Sequence, residues 1–262
     1  MAEEGVIGDG GASEHETVVV QSRRRHPLRT AAKWIGITLL VLLFLFAAFI
    51  AWLNTEAGRR FVVRQINQLE FASGLDIDIG RIEGSLFGGL TIHDLTLKDP
   101  RGTFFRAPRA DLDYRPLSYF QNHVDIRTLV IPQARIWRLP ELRSTGDPNA
   151  PLLPDIEIDI GRLQVGRLMI DPAVTGQRHA MSIDARARIA EGRAQIASNI
   201  ATLRAPGLAG GDRIILRLDA VPDANRLAMG LRVDAPADGF VAGMTGIRQP
   251  LLASVQGRGS WA

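Results

Sequence analysis

The spacing of apolar residues changes twice along the chain, and each change predicts a different element. Between Trp34 and Leu53 there is no spacing at all: WIGITLLVLLFLFAAFIAWL carries no charge. At roughly 1.5 Å per residue, a helix of that length crosses the hydrocarbon of a bilayer, about 30 Å thick. A transmembrane helix over 34–53 is expected. Arg23, Arg24, Arg25, Arg29 and Lys33 precede it, so the positive-inside rule places the N-terminus in the cytoplasm, and Trp34 and Trp52 stand where interfacial aromatic residues belong. A cleaved signal peptide is the rival reading, since small residues such as Ala57 follow the run. The run is longer than a usual signal core and no A-x-A site follows closely, which favours an uncleaved anchor.

In NTEAGRRFVVRQINQLEFASG, residues 54–74, Val62, Ile66 and Leu69 recur at helical spacing, with Asn54 or Thr55 able to cap the start and Gly74 the end. A short amphipathic helix over 54–74 is expected, on the outer leaflet or against the first sheet. From Leu75 the period falls to two. Leu75, Ile77 and Ile79 alternate with Asp76, Asp78 and Gly80, the pattern of a strand with one buried and one wet face. Asp76, Asp78 and Glu83 crowd around this glycine as an acid/base or metal site would, but the alternation turns them away from the apolar side. IDIGRI at 77–82 also recurs as IDIGRL at 158–163, and a repeated strand, turn and strand explains the copy better than a repeated catalytic pair.

The apolar phase then slips repeatedly. Leu90 and Ile92 give way to Leu95 and Leu97, Val124 and Ile126 to Leu129 and Ile131, and Ile156, Ile158 and Ile160 to Leu163 and Val165, then to Leu168 and Ile170. A one-residue slip sends side chains to the opposite face, so each switch requires a bulge, a bend or a break, and the sheet should be strongly curved. RLPELRSTGDPNAPLLPD, with Pro140, Pro148, Pro151 and Pro154, reads as a long loop, centred on 141–154, dividing a β segment at 75–140 from one at 155–262. Period two returns at Met181, Ile183, Ala185, Ala187 and Ile189, and at Leu227, Met229, Leu231 and Val233. The expected fold class is mainly β: two N-terminal helices, then an elongated, curved and twisted sheet.

Composition narrows the chemistry. The absence of cysteine removes disulfides and thiolate metal sites. A net charge of +3 comes from 31 basic and 28 acidic residues that are interspersed, so no nucleic-acid face is implied. Residues 1–33, rich in Gly and Glu before the basic flank, read as a disordered cytoplasmic tail. There is no G-x-S-x-G, H-E-x-x-H or P-loop, and His15, His26, His93, His123 and His179 are scattered. No catalytic, cofactor-binding or metal-ligating residue is assigned, and the chain does not read as an enzyme. His93 beside Asp94 comes nearest to a dyad, but it falls at a phase switch, where a polar bulge explains it. Arg186 and Arg188 alternate with Ala185 and Ala187 as a solvated strand face does, though arginines there could also meet phosphate headgroups.

A membrane helix followed by LNTEAGRR, then DIGRIEGSLFGGLTIHDLTLKDPRG, DLDYRPLSYFQNHVDIRTLVI, ARIWRLP and, past the loop, IEIDIGRLQVGRLMI resembles the N-terminal part of the TamB proteins, the inner-membrane subunits of the translocation and assembly module. These belong with the AsmA-like bridge proteins of the Gram-negative envelope. DAPADGFVAGMTGIRQPLLASVQGRGSWA is similar to the family's early repeat. The resemblance covers roughly Trp34 to Ala262 and rests on the order of the segments, not on one motif. It implies an inner-membrane anchor with its bulk in the periplasm, a twisted sheet folded into a groove with an apolar interior, and a role in outer-membrane biogenesis. That role has two parts: carrying phospholipid between the inner and outer membranes, and helping an outer-membrane β-barrel partner assemble and secrete proteins. Family members are far longer and end in a domain that contacts this partner. About fifteen strands at roughly 4.8 Å would span about 70 Å here, so a fragment is expected, with the partner contact in a missing C-terminal region.

An acyl chain in water costs about 0.8 kcal/mol per CH₂, so a route between membranes must shield it continuously. The candidates for that shield are Ile77, Ile79, Leu90, Ile92, Leu95, Leu97, Leu112, Val124, Ile126, Leu129, Ile131, Ile158, Ile160, Leu163, Val165 and Ile170. The same pattern would arise from a filled sandwich core, and it is the family resemblance that favours a groove. Without a nucleotide-binding loop, such a groove would guide lipid passively, acyl chains inside and headgroups at its open side. Two rivals are an assembly scaffold whose strand edges pair with a client, and a membrane-tethered enzyme.

Overall fold

The computed structural model describes residues 27–69, 71, 73–142, 156–208 and 210–260. Arg23, Arg24, Arg25 and most of the Pro-rich loop, 143–155, lie outside them. The first helix, α1 (Pro27–Leu53), starts ahead of the apolar run, with proline at the position where its fixed φ and missing N–H suit a helix start. Arg29, Lys33 and Trp34 fall within it. Its stretch Gly36–Leu53 has a mean hydropathy of 2.7, contains no buried residue, and is long and apolar enough to cross a membrane; among the described residues it is the one such helix. The chain divides into two units, residues up to Ala48 and residues from Phe49 on, and the second contains the whole sheet.

Helix α2 (Glu56–Ile66) starts where Thr55 accepts the Gly58 N–H at 3.3 Å, but it stops well before Gly74. The cause is Asn67. Its side chain accepts from Ile79 N at 2.9 Å and donates to Ile79 O at 3.0 Å, so the residue that ends the helix serves the edge of the sheet. Val62, Val63 and Ile66 pack on the sheet, whereas Leu69, expected beside them, is 53% exposed.

Among the described residues the sheet has eleven strands, where about fifteen were expected of the chain: β1 (Asp76–Asp78), β2 (Arg81–Gly84), β3 (Gly89–Asp99), β4 (Gly102–Arg115), β5 (His123–Ile136), β6 (Glu157–Ile170), β7 (His179–Ala190), β8 (Arg193–Thr202), β9 (Arg213–Val221), β10 (Arg226–Ala235) and β11 (Leu251–Gly259). They pair in nearly sequential order, an open path from β1 to β11, with β1 and β2 sharing the same edge of β3. Every pairing is antiparallel except β5 with β6, which run parallel across the Pro-rich loop. That loop separates two segments in sequence, yet the segments join edge to edge into one sheet. Helices α3 (Pro172–Thr175) and α4 (Phe240–Thr245) lie in the connections after β6 and β10.

The phase switches read from the sequence are irregularities inside continuous strands. Register shifts lie between Asp113 and Tyr114 where β4 meets β5, and after Ile160 and after Val165 where β6 meets β7. In β3 the switch is Asp94, a non-glycine residue at φ 54°. β1 and β2 are two halves of one strand interrupted at Ile79 and Gly80, since Ile77 pairs with Leu97 and Ile82 with Ile92 in an unbroken count. The repeated hexapeptide therefore breaks a strand in its first copy and bulges one in its second.

Neighbouring irregularities fit into one another. Between β5 and β6 the ladder skips Arg127 beside Gly161 and Pro132 beside Gly166. A Cβ at Gly161 would stand 2.8 Å from the Arg127 carbonyl oxygen, and one at Gly166 2.8 Å from that of Pro132. Glycine is needed there for close approach of two backbones. Gly166→Ala should therefore lower stability by about 1–3 kcal/mol in denaturant unfolding, whereas Gly230→Ala, where an added Cβ meets nothing within 4 Å, should be neutral or slightly stabilising.

Candidate functional site

Pairing across so many strands puts the sequence's apolar positions on a common face. One row in register runs Leu90, Leu112, Leu129, Leu163, Ala185, Ser198, Leu216, Leu231, Val255. A second runs Ile126, Ile160, Ala187, Ile196, Leu218, Met229, Gly257. Directly paired residues share a face, and the bulges keep each strand's apolar set on it. Leu97 pairs with Ile77, and Val124 with Ile158, so these belong to it too.

Burial on this face is uneven. Under α2, a cluster of Val63, Ile79, Ile82 and Leu90 gathers Ile77, Ile92, Leu95 and Leu112. A second, built on Ala107, Ala110, Ile131, Ala134, Val165, Leu168, Ile170 and Met181, gathers Leu129 and Leu163. Leu97, Val124, Ile126, Ile158 and Ile160 belong to neither cluster and are half-buried. The sequence reading missed the three alanines, although Ala107-Pro-Arg-Ala110, Ile131-Pro-Gln-Ala134 and Val165-Gly-Arg-Leu168 carry a shared spacing of three that marks the aligned irregularities.

It also missed the side chains that cap the second cluster at the strand ends, Val174 of α3 and Phe240 of α4. Asp212, 2% exposed, holds α4 in place. Its carboxyl oxygens accept from Thr202 Oγ1 at 2.7 Å, Phe240 N at 2.8 Å and Val241 N at 3.0 Å, so a buried polar group has its hydrogen-bond partners. Phe240 then meets His179 edge-on, ring centroids 5.6 Å apart.

The other face is polar and paired. Lys98 Nζ lies 2.9 Å from Asp78 and 3.7 Å from Asp76, and Glu83 pairs with Arg81 and with His93, each at 3.0 Å. His93 holds the Glu83 carboxyl below its ordinary range. Asp94 pairs with Arg106 at 3.1 Å, so His93 and Asp94 are engaged by different partners. Arg115 with Asp125, Arg127 with Asp113, Arg162 with Asp184 and Arg193 with Asp219 continue the pattern. Arg186 and Arg188 border a hollow of about 400 Å³ together with Gln195 and Arg217. They stand on the face opposite Ala185 and Ala187, so the sheet itself separates them from anything held on the apolar side. Among the described residues no three His, Asp or Glu side chains converge on a point that could hold a metal ion.

The most buried carboxylate among the ion pairs found in the described residues lies at the β3–β4 hairpin. The Asp99 carboxylate, with no exposed side-chain surface, receives Arg138 through Nη1 at 2.6 Å and Nη2 at 2.5 Å, and the backbone N–H groups of Arg101 at 2.8 Å and Glu141 at 2.7 Å. Arg138 first, and these N–H groups after it, hold the carboxyl far below the usual range. A depressed carboxyl stabilises the fold above its unfolded pKa, and that contribution disappears as pH falls through the folded one. Asp99→Asn should thus lower the melting temperature at pH 7, with the gap to wild type constant down to about pH 4 and closing below it. A gap that ignores pH would mean that the contact contributes by shape alone. Compared with known proteins, the chain matches no family model, no curated protein and no solved structure.

Proposed function

We propose that this is a membrane-anchored lipid guide: α1 holds the chain in the inner membrane of a Gram-negative envelope with its N-terminus in the cytoplasm, and the sheet lies in the periplasm. The sheet curves into a groove whose apolar face conducts phospholipid acyl chains toward the outer membrane. The observation that carries the reading is the pairing of a largely apolar face with an ion-paired one in a single sheet, leaving Val124, Ile126, Ile158 and Ile160 outside both clusters. A soluble sandwich would place a second sheet over those residues. A row of half-buried apolar side chains outside any packed cluster suits an apolar ligand.

The order of segments shared with the TamB proteins supports the same reading, and with it assistance to an outer-membrane β-barrel partner. The path from β1 to β11 makes nine steps between strands, about 43 Å at 4.8 Å each. Passive guidance follows from the chemistry of the face, which binds methylene groups without a hydrolytic step.

A second reading has its own observation. Asn67 and α2 protect the edge at β1 and β2, but among the described residues nothing pairs with the outer edge of β11, nine residues long. A bare edge of that length templates another strand, and an assembly scaffold would use it to hold a client.

Ile160→Asp separates the two. Ile160 is half-buried and outside both clusters, so the variant should keep a near-wild-type melting temperature while the phospholipid recovered with membrane-extracted protein falls several-fold. Leu129→Arg should act likewise at greater cost in stability, because Leu129 touches the second cluster. Val165→Asp buries an unpaired charge inside that cluster, costs several kcal/mol and should lose the fold. Folded Ile160→Asp with undiminished lipid would count against the groove and leave the scaffold standing.

A further inference from the structure

The connection between β4 and β5 exposes three large apolar side chains on a turn that is firmly built. Pro116–Gln121 form a 3-10 turn with proline at its start, and Asn122 closes it at φ 57°, its N–H donating to Ser118 O and Tyr119 O. The Asn122 carbonyl accepts from Glu157 N at 3.0 Å, which ties the turn to β6. No residue of the turn is buried: Leu117 is 66% exposed, Tyr119 67% and Phe120 85%.

The position of the turn says what it meets. Tyr114, at the end of β4, donates its hydroxyl to Leu86 O at 2.5 Å. Leu86 N and Ser85 Oγ in turn donate to Asn54 Oδ1, at 3.2 Å and 3.3 Å. Asn54 directly follows Leu53, the last residue of the apolar span. The turn therefore stands at the end of the sheet that is tied to the exit of α1. Three further chain reversals share that end: residues 85–88, whose Leu86 and Phe87 are half-buried, and Glu191–Gly192 and Pro222–Asn225, which hold no large apolar side chain. Among these four reversals, large apolar side chains that are exposed occur on the β4–β5 turn.

We infer that Leu117, Tyr119 and Phe120 insert into the interface of the bilayer that α1 crosses, giving the sheet a second foothold on the membrane. Aromatic side chains with one polar end favour the headgroup level, and Leu and Phe beside them reach the acyl boundary. Two footholds fix the orientation of this end of the sheet toward the bilayer, where one helix would leave it free to swing. The inference rests on α1 spanning the membrane but not on lipid being conducted.

The chain has no cysteine, so Phe120→Cys, Ile50→Cys and Ala224→Cys each give one site for a nitroxide label. The full chain is reconstituted in nanodiscs of phosphatidylethanolamine and phosphatidylglycerol, and each label's collisions with oxygen, enriched in lipid, are compared with those of a water-soluble nickel chelate. The expected result is a several-fold higher oxygen-to-nickel ratio at 120 than at 224, approaching that at 50. A water-like ratio at 120 with a lipid-like one at 50 overturns the inference while leaving the anchor intact. Water-like ratios at both 50 and 120 remove the membrane span itself, and the foothold with it.

Discussion

A single sheet that is apolar on one side must keep every strand in phase with its neighbours, and the rest of this structure depends on that constraint. One extra residue in one strand would put its isoleucines among the arginines of the other face. The chain does insert extra residues, but it inserts them side by side: Gly161 beside Arg127 and Gly166 beside Pro132, with the next strand, β7, left regular. The glycines let two bulges occupy neighbouring strands without collision.

Among the described residues no second sheet opposes this one, so its stability is assembled at the margins. Helix α2 covers one end of the apolar face and α3 with α4 another, each pinned by a polar side chain that the sheet itself supplies or receives, Asn67 at Ile79 and Asp212 at Phe240. Asp99 and Arg138 lock the β3–β4 hairpin to the end of β5. Exposed pairs such as Arg162 with Asp184 add little each; their larger effect is to keep one face wet. A fold held at its margins leaves Val124, Ile126, Ile158 and Ile160 outside both packed clusters, and the proposed groove rests on them.

Much of this was legible in the sequence, because alternation and its interruptions are direct records of strand faces. The switches at Ile92/Leu95, Ile126/Leu129, Ile160/Leu163 and Val165/Leu168 mark the structural irregularities, and the carboxylates at Asp76, Asp78 and Glu83 are salt-bridged on the wet face. The end of α2 was not legible, since it is decided by Asn67 reaching a backbone twelve residues away. Nor were the buried alanines, which small size hides from any count of large apolar residues, or Phe240, whose place depends on Asp212 far back in the chain. The parallel join of β5 to β6 is a matter of topology on which periodicity is silent.

The most direct test places a photo-crosslinking amino acid at Ile160 and, separately, at its neighbour Asp159, which the ladder turns to the opposite face, in the full chain held in membranes. Adducts are then read by mass spectrometry. Covalent phospholipid at Ile160 and none at Asp159 is the predicted result. Lipid at neither position, with a protein client captured in its place, would contradict it.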